Sequence, residues 1–149
     1  MSNAIQILVE QSKEKAEQCA KDLARTRQTL AQAQNKLDML ENYLTQCHSS
    51  MHEKTLGGVT GFQLRSQLSF TSKIDDAISQ QKSELEFLKR TEEHQLSQWH
   101  QALADEKKFQ ALLDREAARK EKLENKRDQK MNDEYAARIY RVRIAGESA

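Results

Sequence analysis

Residues 54–61 read Lys-Thr-Leu-Gly-Gly-Val-Thr-Gly. Three of the chain's four glycines, Gly57, Gly58 and Gly61, fall inside this stretch, and there is no proline anywhere in the 149 residues. Glycine and proline are the strong helix breakers, so this is the one place where a long helix is expected to stop. On the far side Thr60 and Gln63 are spaced for a capping box, the hydroxyl closing the start of a new helix while the glutamine reaches back. The fold class that follows is all-α, with a helix over about 4–53, a turn at 54–60, a helix over about 61–142 and a frayed tail at 143–149 in a single coiled-coil domain.

Outward from the turn towards the N-terminus, apolar residues recur every seven. Val9, Ala16, Leu23, Leu30, Leu37, Leu44 and Met51 form one series, and Ile5, Ser12, Cys19, Thr26, Ala33, Leu40 and Cys47 the other. A period of 3.5 puts both on one narrow stripe, the seam of a coiled coil. Beyond the turn the second seam runs Ile74, Ile78, Gln81, Leu85, Leu88, Glu92, Gln95, Trp99, Ala102, Glu106, Phe109 and Leu113. Its polar members, Gln81, Glu92, Gln95 and Glu106, weaken the coil and pin its register.

A connection this short brings two helices back side by side, so the expected structure is an antiparallel hairpin. Facing residue numbers then add to about 115, which sets Ile5 near Phe109 and Leu37 within a turn of Ile74 and Ile78. A parallel dimer through the same seam is the alternative; it leaves the glycines interrupting a rod for no reason. The first helix is used up near Asn3, so the second overhangs its partner by about 30 residues, some 45 Å. Over that length the seam positions become Glu116, Lys120, Leu123, Arg127 and Lys130, and 14 of the 21 residues from Asp114 to Glu134 are charged. Glu116 with Lys120, and Glu124 with Arg127, have the spacing that supports a solvated single helix. The tail from Tyr135 to Ile144 again mixes apolar and basic residues, as a segment that inserts into a partner would.

Composition excludes several classes. The chain is 37% hydrophobic, 5% aromatic and 32% charged, poor in the bulk that a globular core of this size needs. Lys and Arg number 24 against 23 Asp and Glu, which gives no overall field for nucleic acid or an acidic membrane. A nucleic-acid-binding rod would use Lys126, Arg127, Lys130, Arg138, Arg141 and Arg143, but Asp128, Asp133 and Glu134 interleave with these basic residues and repel phosphates, so no nucleic-acid partner is expected. No apolar run is long enough to span a bilayer, and Met1–Glu10 is too polar for a secretory signal, which predicts a cytosolic protein. Cys19 and Cys47 are too far apart on one helix to pair and read as reduced thiols. Cys47, His48 and His52 are close in sequence, but Cys47 belongs to the seam and no third ligand converges, so no metal is expected. The glycine stretch lacks the Lys-Ser/Thr of a phosphate loop. With no cofactor motif and no pocket around its carboxylates, the chain does not read as an enzyme.

Two aromatic residues lie beside the seam rather than on it. Tyr43 and Phe70 fall at one level of the hairpin, with Leu40, Ile74 and Ala77 alongside. Either the rings cover the seam or they anchor a partner protein. Phe87 is a further aromatic off the seam.

The segment Asn125–Ala136, with its Asp-Gln-Lys followed by Asp-Glu, an aromatic residue and Ala, resembles the C-terminal region of the flagellar export protein FliJ family. Leu37-Asp38-Met39-Leu40-Glu41-Asn42-Tyr43 and the set Phe70, Ile74, Ala77 and Ile78 are further points of resemblance. What it implies is a non-enzymatic, stalk-like coiled coil of a type III export apparatus that inserts into the ring of the export ATPase hexamer and promotes its assembly and activity. It also implies binding to the cytoplasmic domain of the export gate, the membrane protein FlhA, and to export chaperones, at the cytoplasmic face of the inner membrane. The resemblance assigns the gate-binding surface to Leu40, Tyr43, Phe70, Ile74 and Ala77. Lys36, Cys47 and Gln81 stand where the family more often has Gln, Tyr and His. Ring contacts are assigned to Arg127, Gln129, Asp133, Glu134, Tyr135, Arg138, Ile139, Tyr140, Arg141 and Arg143. A generic cytosolic coiled-coil scaffold without an ATPase partner is the rival reading, and it leaves the overhang unexplained.

The free protein is expected to be a monomeric rod of about 80 to 120 Å. Small-angle scattering with a radius of gyration near 15 Å, about that of a compact domain of this length, would contradict it.

Overall fold

The computed structural model describes residues 2–147. They form two helices, α1 over Ser2–Gly57 and α2 over Gly61–Glu147. The break between them is shorter than the sequence implies, because nothing in 54–56 disrupts a helix. The Thr55 hydroxyl donates to the Met51 carbonyl at 2.7 Å, and the chain leaves α1 only at Gly58, whose N–H reaches the Thr55 carbonyl at 3.4 Å. Gly58 has φ +85, a left-handed conformation in which a Cβ is strained, so it ends the helix as a C-terminal glycine commonly does. The capping box forms as read: the Gln63 N–H donates to the Thr60 hydroxyl at 3.3 Å and the Thr60 N–H to Gln63 Oε1 at 3.4 Å. At the other end α2 carries on through 143–147, which the sequence reading assigned to a frayed tail, since no residue there breaks a helix before Gly146.

The chain divides into two compact units, one of residues 15–102 and one of the described residues among 1–14 and 103–149. The first is an antiparallel hairpin. Its core cluster is Ala33 and Leu37 from α1 with Ile74, Ile78 and Leu85 from α2, and Leu30, Leu40, Leu44, Cys47 and Leu88 pack around it. Every one of these is a seam residue. Gln81 is buried among them and donates from Nε2 to the Ala33 carbonyl at 2.9 Å. That bond crosses between the helices, so a slip of either one breaks it. Gln95, another polar member of the seam, is half-buried and its Oε1 is shielded without a hydrogen-bond partner.

In the second unit Val9 and Ser12 are buried, and the Ser12 hydroxyl is satisfied by the carbonyl of Val9 at 2.7 Å. Ile5, Glu106, Phe109, Leu113 and Glu116 are half-buried. From residue 117 to 147 every residue of α2 is exposed, so burial ends where the seam's apolar residues end. Among the described residues no large side chain is wholly buried, and no helix is long and apolar enough to cross a membrane.

Gln81 and Gln95 should respond differently to replacement by Leu. Gln95→Leu removes a shielded oxygen that bonds to nothing and should stabilise the chain by about 1 kcal/mol in thermal unfolding. Gln81→Leu should also preserve or raise stability while weakening register, seen as mixed oligomers in size-exclusion chromatography with light scattering. A destabilised Gln95→Leu would mean that its oxygen is solvated in the native state.

Candidate functional site

Two surfaces emerge, one in each unit. In the hairpin unit Tyr43 and Phe70 meet edge to face, with ring centroids 6.1 Å apart and planes at 75°. Each ring remains 48% exposed. They therefore do both things the sequence allowed: they pack on one another across the hairpin and they present apolar edges to solvent. Leu40 is half-buried against the core cluster and Ala77 is half-buried, so these two form the floor of the patch. Ile74 is only 7% exposed and belongs to the core itself. It lies one turn beyond Phe70 on α2, beneath the exposed part of the patch. Of the three family departures, Gln81 is spent on the Ala33 carbonyl, Cys47 lies against the core and Lys36 is exposed.

One residue outside the assigned gate-binding set joins this surface. Met39 is 71% exposed and sits one turn before Tyr43 on the same face of α1. The available signal was its spacing, an apolar side chain off both seam series and four residues from the ring. Phe87 is exposed too, but it lies about 25 Å along α2 from Phe70 and does not extend the patch.

In the second unit all ten residues assigned to ring contact lie in the exposed overhang. Its base is fixed by an ion pair of Arg119 with Glu116, Nη2 to Oε1 at 2.8 Å and Nε to Oε2 at 3.3 Å. The sequence spacing pairs Glu116 with Lys120, whose charge also acts on this carboxylate, and the structure adds Arg119. The guanidinium fork takes both carboxylate oxygens at once, which an ammonium cannot. Its hydrogen bonds, with the charges of Arg119 and then Lys120, hold the Glu116 carboxyl below the usual range and raise Arg119 in turn.

Helical periodicity sorts the tail into faces. Met131, Tyr135, Ile139 and Val142 recur at intervals of four, four and three, which makes an apolar stripe flanked by Arg138 and Arg143. Met131 and Val142, 67% and 68% exposed, were not among the assigned contacts. Tyr140 and Ile144 lie on the opposite side with Gln129 and Asp133. The assigned residues thus surround the helix instead of lining one face.

The family profile described as "Flagellar FliJ protein" matches residues 1–144. The flagellar FliJ protein of Escherichia coli (strain K12) is 24% identical over 135 residues, covering 91% of this chain and 92% of the relative. That of Salmonella typhi is 25% identical over 135 residues, with 91% and 92% covered. No solved structure matches with significance.

The Tyr43–Phe70 contact should be measurable apart from any partner. A double-mutant cycle with Tyr43→Ala and Phe70→Ala in urea unfolding should give a coupling of about 0.5 to 1.5 kcal/mol. Additive losses would mean that the rings do not meet in solution.

Proposed function

The chain belongs to the FliJ family and so to the flagellar export machinery; within it we propose a non-enzymatic stalk that engages the export ATPase ring and the export gate. The observation that carries this reading is the exposure of every residue from 117 to 147 on a helix that continues without a break. A helix exposed on all sides, with apolar and basic residues distributed around it, suits a lumen that encloses it better than a flat surface that touches one face. Arg138, Arg141 and Arg143 supply charge for an acidic wall, and Tyr135, Ile139, Tyr140 and Val142 supply apolar contact for a collar.

A stalk of this kind acts by asymmetry. One rod inside a six-fold ring meets its subunits in different orientations and favours closure at one interface over the rest. Its leverage is bounded by its differential affinity for the open and closed interfaces, about 1 to 3 kcal/mol for typical couplings. The hairpin unit serves the second engagement: Met39, Tyr43 and Phe70 anchor the cytoplasmic domain of the gate, over a floor of Leu40 and Ala77. Export chaperones are further partners in this reading, and the working location is the cytoplasmic face of the inner membrane beside the gate.

Truncation after Arg115 tests the stalk. The removed segment is exposed from residue 117 on, so the remaining chain should keep its helicity and nearly all its stability. It should lose stimulation of ATP hydrolysis and of ring assembly by the export ATPase. Exchange of Arg138, Arg141 and Arg143 for Glu should act likewise, with the wild-type effect shrinking as salt rises. Undiminished stimulation by the truncated chain would leave the scaffold reading in place of the stalk. Separately, Tyr43→Ala with Phe70→Ala should weaken gate binding several-fold while helicity is retained.

A further inference from the structure

The stretch from Lys54 to Ile74 is the longest in the chain without an Asp or Glu, and it is the end of the hairpin. Its cations are Lys54, Arg65 and Lys73. Four of its apolar side chains are out in solvent: Leu56 and Phe62 are each 77% exposed, Leu68 is 51% and Leu64 is 38%. A Cβ added at Gly57, Gly58 or Gly61 would have open space around it, so among the described residues no other part of the chain packs on these three glycines. Two shallow grooves meet at Phe62 and Ser66, one running to Lys54 and the other to Arg65 and Lys73, and no carboxylate lines either.

A second acid-free run isolates what is special here. Residues 23–37 also carry three cations, Arg25, Arg27 and Lys36, but there Leu23, Ala33 and Leu37 are buried in the seam and Leu30 is half-buried. That run is basic without exposed apolar bulk. Of these two runs only the hairpin end combines cations with exposed apolar bulk; a third, shorter acid-free run in the tail, 135–146, combines them too, but along one helix rather than at a helix-to-helix turn.

We propose that the hairpin end docks on an anionic lipid bilayer, with Leu56 and Phe62 entering the interface and Lys54, Arg65 and Lys73 meeting lipid phosphates. This goes beyond the stalk and gate reading and does not depend on it. The distribution of the side chains favours lipid over a protein partner. Phe62 and Leu64 lie on nearly opposite faces of α2, and Leu56 is on the other helix. No single face of a folded partner reaches all of them, whereas an interface entered end-on surrounds them. The chain's net charge of +1 provides no long-range attraction, so docking is a local, contact-range event. A few inserted side chains with a few cations make weak, reversible membrane partners, comparable to one short acyl chain and not to a spanning helix.

The test uses the full chain and two vesicle populations, phosphatidylcholine alone and phosphatidylcholine with about 30% phosphatidylglycerol, in flotation at low salt. The protein should float with the anionic vesicles and lose about tenfold in partitioning when Leu56→Ser and Phe62→Ser are combined. Exchange of Lys54, Arg65 and Lys73 for Glu should do the same, and Phe87→Ser, an exposed site on α2 away from the turn, should change nothing. All these side chains point outward, so helicity by circular dichroism should be unchanged throughout. A Phe62→Trp chain should show a blue-shifted emission on anionic vesicles, read against the unchanged Trp99 signal of the wild type. Flotation that survives the Leu56/Phe62 change but is lost when Arg138, Arg141 and Arg143 become Glu would assign lipid binding to the tail and overturn the proposal. No flotation, equal flotation with both vesicles, or an unshifted Phe62→Trp emission would overturn it as well.

Discussion

Two helices laid side by side can each bury only one stripe, and everything else in this chain follows from that limit. A side chain on the seam is covered from the partner helix, but its flanks stay open, which is why no large residue among those described is wholly buried. So thin a core has little volume with which to define its own alignment. Sliding a leucine past a leucine changes the packing only slightly. The Gln81 amide on the Ala33 carbonyl is different in kind, since a displaced amide would be left buried without a partner. The seam supplies the cohesion, and this cross-helix bond supplies the alignment.

The same limit creates the interaction surfaces. In a globular domain an aromatic pair at the level of Tyr43 and Phe70 would be covered by a third element. Here there is none, so the rings gain from each other and still expose almost half their surface. In the other unit, α2 beyond Glu116 has no seam to join and holds its helix through local propensity and short-range pairs such as Glu116–Arg119. A helix maintained only by local terms is the least stable part of such a chain and also the part whose every face is free.

The sequence carried the backbone plan because each feature had a local cause. Glycine and proline content located the break, the Thr60/Gln63 spacing produced the capping box, and the seven-residue period marked the residues that are buried. The loss of apolar seam residues after Leu113 marked the end of burial to within a few residues. What remained hidden needed three dimensions. The end of α1 depended on which glycine adopts the left-handed conformation, and Gly57, Gly58 and Gly61 are indistinguishable by composition. The hydrogen bonds from Arg119 to Glu116 depended on rotamer geometry at i+3, which spacing alone does not reveal.

Ile74 shows how two kinds of inference can disagree at one residue. The heptad reading put it on the seam, and resemblance to a family pattern put it on a binding surface. In the structure Ile74 is buried in the core cluster, so coiled-coil packing by itself accounts for an apolar residue at that position. Met39 and Val142 are the converse case. They match no seam position, and burial does not explain an apolar side chain there. On a two-helix scaffold the seam accounts in advance for most of the apolar residues that stability requires. The apolar residues it leaves over are therefore the most direct record of contact with something outside the chain.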